Sequence, residues 1–140
     1  MKILRGTVAQ GGYGVASEFF AHVRGWITER TGVGPLQNGT LNIDLPTPYI
    51  IPEEATISVE EYNRFGEFLK LKPCVVRGLR CVIVRPNTHE GPSAIAHGPA
   101  HVELMSGFHL KTTLGLSPGD QVDIEVEGDD AWWSAARDPE

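Results

Sequence analysis

Residues 68–85, FLKLKPCVVRGLRCVIVR, constrain the fold of this chain more than any other stretch. Two runs rich in valine, isoleucine and leucine, 68–77 and 80–85, flank Gly78-Leu79, so the stretch reads as a β-hairpin closed by a tight turn. With Arg77 facing Arg80, Cys74 and Cys81 share a face as diagonal neighbours, farther apart than a relaxed disulfide prefers. Both cysteines are therefore expected to be reduced, small and buried.

A hairpin needs further strands to bury its face, and the sequence supplies them. Residues 3–9 read as a first strand, followed by the turn-prone Gln10-Gly11-Gly12-Tyr13-Gly14. From Ser17, an N-cap, the period changes to that of a helix, with Phe19, Phe20, Val23, Trp26 and Ile27 on its core face and Gly32 as its stop. Residues 39–45 alternate Leu41, Ile43 and Leu45 with Thr40, Asn42 and Asp44, as a half-buried strand does. Pro46, Pro48 and Pro52 make the next segment a poor ladder partner, and the acidic 52–61 reads as exposed. A short strand over 102–105, a brief helix over 109–114, the turn at 116–120 and an alternating strand over 121–126 complete the pattern.

Many short strands, one main helix and a short late helix predict a mostly β chain folded as a small barrel. At 140 residues the chain suits one domain burying about two-thirds of its unfolded surface. We expect a barrel domain over residues 1–128 and a tail over 129–140, either mobile or docked by Trp132 and Trp133. The net charge of −6 argues against nucleic-acid binding by phosphate neutralisation. Met1 to Arg5 begins like a strand and no apolar run has membrane-spanning length, so a cytoplasmic location with no membrane partner is expected.

Three features could carry chemistry. A glycine-rich stretch ahead of a helix can present backbone amides to phosphate, although Gln10 to Val15 matches no standard phosphate-loop spacing and a plain turn is the alternative. Thr40 and Asn42, two apart on a strand, face the same way, so a hydroxyl and an amide oxygen can converge on one hard cation. Neither neutralises the cation, which suits Mg²⁺ sharing its shell with substrate phosphates; a solvated polar face is the alternative. His89, His97 and His101 with Glu90 and Glu103 could bind Zn²⁺, although exposed loop histidines account for them as well. Lys111 could meet a phosphate or remain solvated.

In order, the glycine stretch, Gly39-Thr40-Leu41-Asn42, Thr88-His89, Val102-Glu103-Leu104, Phe108-His109-Leu110-Lys111 and Leu116-Ser117-Pro118-Gly119-Asp120-Gln121-Val122 resemble the archaeal CTP-dependent riboflavin kinase family. The resemblance implies a six-stranded cradle-loop barrel, built with swapped hairpins, that phosphorylates riboflavin to FMN with CTP as donor. By residue it implies Mg²⁺ on Thr40 and Asn42. It implies nucleotide contacts from Gln10, Gly11, Gly12, Tyr13, Gly14 and Val15 and from Phe108, His109, Leu110 and Lys111. Thr88 and Glu103 are the implied flavin contacts, and no catalytic base is implied. CTP and riboflavin are then the small-molecule partners of an expected monomer. Competing expectations are a barrel that binds nucleotide or flavin without transfer, a DNA-binding regulator, and a histidine-ligated metalloenzyme.

Overall fold

The computed structural model describes residues 1–13, 20–37, 39–90 and 98–140, the side chains of 11–13 excepted. Its strands are β1 (Lys2–Tyr13), β2 (Leu41–Asp44), β3 (Ala55–Ile57), β4 (Leu69–Val76), β5 (Leu79–Pro86), β6 (His101–Ser106) and β7 (Gln121–Glu127). All pair antiparallel in the order β4-β5-β6-β2-β1-β7, and a β4–β7 pairing at Val75↔Glu125 closes the six into a barrel. The outlying β3 adds to the other half of β4. The mostly β barrel expected from the sequence is the observed fold.

The hairpin is the β4–β5 pair, with one correction. Its turn is Arg77-Gly78, not Gly78-Leu79, and both turn residues have positive φ, 48° and 79°. That conformation matches the right-handed twist of the strands, and glycine adopts it without steric cost. The one-residue shift places Cys74 directly opposite Cys81, so the diagonal placement expected above does not hold. Both are buried free thiols, and burial, followed by the hydrogen bond and charge of Cys81, pushes Cys74 well above its ordinary pKa.

Alternation sorts the strand residues onto two faces. Leu41, Ile43, Cys74, Val76, Cys81, Ile83, Leu104, Val122 and Ile124 fill the barrel interior. A second cluster packs Val82, Val84 and Met105 against Phe20, Val23, Ile27 and Tyr62. The main helix α1 (Arg24–Thr31), entered through a 3₁₀ turn at Ala21–Val23, supplies part of that layer and stops at Gly32 with φ 75°. Trp26 departs from the expected core face: it is 38 % exposed, with the Arg30 guanidinium over its ring. Ser17 and Phe19 lie outside the described residues.

Two further expectations need correction. Residues 10–13, expected as a turn, continue β1, because Tyr13 pairs with Leu41 across a register shift. The acidic stretch around 52–61 holds β3 and a short helix α2 (Val59–Tyr62), started by a Ser58–Glu61 capping box that satisfies both amides at the helix entry. Ile57 and Tyr62 anchor it by burial. Helix α3 (Leu110–Thr113) follows β6 as expected, and the tail forms α4 (Asp130–Ala135), docked through Trp132 Nε1–H to Glu125 at 2.8 Å. Among the described residues no helix is long and apolar enough to cross a membrane.

Candidate active site

Strand order brings together what the sequence separates. Asn42 on β2 pairs with Glu103 on β6, while β6 and β1 flank β2 on its two sides. From Val8↔Ile43 to Tyr13↔Leu41, β1 advances five residues while β2 advances two. The surplus backbone of Gln10, Gly11 and Gly12 therefore bulges beside the start of β2. The Gly119-Asp120 turn leans on the same strand: Val8 N–H donates to the Asp120 carbonyl at 2.9 Å, and Gly119 N–H to the Val8 carbonyl at 2.8 Å.

Leu41 and Ile43 point into the barrel, which leaves Thr40 and Asn42 sharing the other face. The Thr40 hydroxyl, fully buried, donates to Asn42 Oδ1 at 3.0 Å. That separation is the length of the hydrogen bond between them, and the two neutral oxygens are of the donor type that a hard cation takes.

Glu103 is 5 % exposed, and its Oε2 has no hydrogen-bond partner among the described residues. Burial raises its pKa to about 7, with the Arg85 charge pulling weakly the other way. Burial likewise pushes the Tyr62 hydroxyl up to about 12, followed by the charge of Glu67, with Arg64 opposing. Thr88, on the 3₁₀ turn Asn87–Glu90, donates to Glu67 Oε2 at 2.6 Å.

A buried ion cluster fixes that turn. Arg85, 2 % exposed, donates to Glu90 at 2.8 Å and to the carbonyls of Tyr49, Pro99 (3.2 Å) and His101 (3.0 Å). Lys70 pairs with the other Glu90 oxygen, and Ile51 N–H adds a bond at 2.9 Å. Burial alone would raise the Glu90 pKa; hydrogen bonds from Ile51, Lys70 and Arg85 overcome it and hold the carboxyl below its ordinary range.

Phe108 to Lys111 leave the barrel from the end of β6, beside the start of β2. Phe108 N–H donates to Ser106 Oγ, the His109 ring accepts Thr112 N–H at 3.4 Å, Leu110 is buried in the barrel core and Lys111 is exposed. Gly14 and Val15 lie outside the described residues, as does His97. The zinc grouping gains nothing from the fold: Glu90 is committed to Lys70 and Arg85, and His101 Nδ1 lies 2.9 Å from Asp44. Among the described residues no three His, Cys, Asp or Glu side chains converge on a metal position. A separate cleft of about 550 Å³, lined by Arg5, Thr7, Asp44, Gln121 and Asp123, contains none of the expected site residues.

Sequence reasoning missed Tyr62, Glu67 and the Arg85 cluster. The Ser58-x-x-Glu61 capping box was a readable sign of the helix that carries Tyr62. Nothing local marks Glu67 or the burial of Arg85.

The fold is that of a small antiparallel β-barrel with the oxygens of Thr40 and Asn42 at the start of β2 and an unpartnered oxygen of Glu103 on the neighbouring strand, and comparison with known proteins narrows the class. The family model CTP-dep_RFKase, described as "Domain of unknown function DUF120", matches residues 9–126. The chain belongs to this CTP-dependent riboflavin kinase family. It is 29 % identical over 129 residues to a riboflavin kinase of Methanocella arvoryzae, covering 89 % of this chain and 57 % of that protein. It is 31 % identical over 128 residues to one of Archaeoglobus fulgidus, covering 85 % and 50 %. With a riboflavin kinase of Staphylothermus marinus it shares 29 % over 132 residues, covering 88 % and 90 %. The chain thus spans about half the length of the first two relatives and most of the third.

Proposed function

We propose that this chain is a riboflavin kinase that moves the γ-phosphoryl group of CTP to the 5′-hydroxyl of riboflavin, giving FMN and CDP, with Mg²⁺ as its metal. The observation that carries the proposal is the Thr40–Asn42 oxygen pair, 3.0 Å apart and one strand from the unpartnered oxygen of Glu103. Membership of the family and the printed names of its relatives support the same chemistry.

Phosphoryl transfer asks a protein chiefly for positioning and charge stabilisation. In this scheme Thr40 and Asn42 hold the metal, which when bound offsets the charge that develops on the phosphate oxygens. Gln10 to Val15 lie along the phosphates, and Phe108, His109, Leu110 and Lys111 hold the nucleotide, Lys111 adding a positive charge. Glu103 offers its free oxygen to a flavin N–H, an interaction strengthened by burial, and Thr88 borders the ring. The catalytic barrel comprises residues 1–128, and the enzyme works as a cytoplasmic monomer.

Incubation with riboflavin, CTP and Mg²⁺, followed by chromatography for FMN, tests the proposal. FMN formed with CTP supports it; no FMN from CTP, ATP, GTP or UTP overturns it.

A further inference from the structure

The family match ends at residue 126, yet the residues beyond it return to the loop between β6 and α3. Arg137 N–H donates to the Gly78 carbonyl at 2.9 Å and Arg80 N–H to the Arg137 carbonyl at 2.8 Å, a short parallel bridge onto the start of β5. Asp138 accepts the Gly34 amide at 3.2 Å and pairs with Arg80 at 3.4 Å. The Arg80 guanidinium also donates to the Trp133 carbonyl at 3.1 Å and lies 4.8 Å from the Trp133 ring centroid.

These anchors converge on one loop. The Arg80 carbonyl accepts the Ser106 hydroxyl at 2.8 Å, and Ser106 Oγ accepts Phe108 N–H at 3.2 Å. A Cβ on Gly107 would stand 2.6 Å from Pro139 Cδ and 2.9 Å from the Pro35 carbonyl oxygen, so only glycine fits between them. The Arg137 guanidinium covers the Phe108 ring at 5.9 Å from its centroid. Gly107 and Phe108, which this segment meets, are consecutive residues of the loop that leads to Lys111.

We infer that Arg137, Asp138 and Pro139 are positioning residues for the nucleotide loop, so that donor affinity depends on a segment outside the family match. The inference rests on the assignment of Phe108 to Lys111 to the nucleotide. The Arg137 guanidinium restricts the Phe108 ring from one side, while Asp138 holds the segment in register through Arg80 and Gly34. Flavin contacts at Glu103 and Thr88 involve neither residue.

Kinetics and CDP calorimetry on the wild type, Arg137→Ala, Arg137→Lys and Asp138→Ala provide the test. Arg137→Ala should raise the KM for CTP and the Kd for CDP about threefold, the size of an exposed cation–π pair. Asp138→Ala, which removes a charge-assisted contact, should raise both about tenfold. The KM for riboflavin should stay within error in each variant, and Arg137→Lys, which keeps a cation over the ring, should recover most of the loss. Unchanged CTP and CDP constants in both alanine variants, or a riboflavin KM rising by the same factor, would overturn the inference. A wild type that makes no FMN but binds CDP removes the kinase proposal alone, and CDP calorimetry on the variants then decides the inference. A wild type that also fails to bind CDP removes both.

Discussion

Replacing Glu103 by glutamine should stabilise this protein while weakening its proposed flavin site. The carboxyl is 5 % exposed, and burial raises its pKa from 4.5 to about 7 against the weak pull of Arg85. The folded chain therefore keeps a proton that the unfolded chain releases. Stability from this group is complete below about pH 4.5 and is lost as pH rises through about 7. At about 1.4 kcal/mol per pKa unit, holding the charged form at pH 8 costs on the order of 3 kcal/mol. Glutamine has nearly the same shape and no charge. Urea unfolding should find Glu103→Gln more stable by about 2–3 kcal/mol at pH 8, with most of that advantage gone at pH 5. Riboflavin affinity should fall, because an amide nitrogen can occupy the place of the free acceptor. Equal unfolding midpoints at pH 8, or an advantage independent of pH, would refute the assignment of a raised pKa and the reasoning built on it.

The double variant Thr40→Ala, Asn42→Ala should cut FMN formation by about a hundredfold or more while its circular dichroism stays that of the wild type; full turnover would remove the metal assignment. Arg85→Met takes one of the two cations from Glu90, leaving it Lys70, and removes the donor to the carbonyls of Tyr49, Pro99 and His101, so the unfolding free energy should drop by about 3–5 kcal/mol, and a loss under about 1 kcal/mol would show the cluster to be dispensable. Gly6→Ala places a Cβ 2.6 Å from the Asp44 carbonyl oxygen and 2.6 Å from Ile43 Cγ2. β1 must then move off β2, at a cost of about 2–3 kcal/mol measurable by thermal melting.

Legibility in the sequence followed the range of the interactions. The β4–β5 hairpin was readable because alternation and turn chemistry are both local, and even there the turn was misplaced by one residue, because the positive φ of Arg77 has no strong signature. The shared face of Thr40 and Asn42 followed from a period of two, and their 3.0 Å contact bears it out. That Asn42 lies across from Glu103 was invisible, since β3, β4 and β5 separate β2 from β6 in sequence and nothing local says that β6 pairs with β2 as well as with β5. Residues 10–13 read as a turn because glycine lowers strand propensity, whereas in the fold Tyr13 pairs with the distant Leu41 and the stretch continues β1. Among prolines and glutamates, β3 and α2 offered few apolar residues, so their burial of Ile57 and Tyr62 had to be seen in three dimensions.

Closure of the barrel depends on a narrow join. Along the β4–β7 line a single residue pair, Val75↔Glu125, is in register, while β4 gives its other half to β3. A ring with one thin weld opens there first, so amides near Val75 and Glu125 should exchange with deuterium sooner than those of the β4–β5 hairpin. The Trp132 indole, bonded to the Glu125 carboxylate, sits on that weld as a rivet.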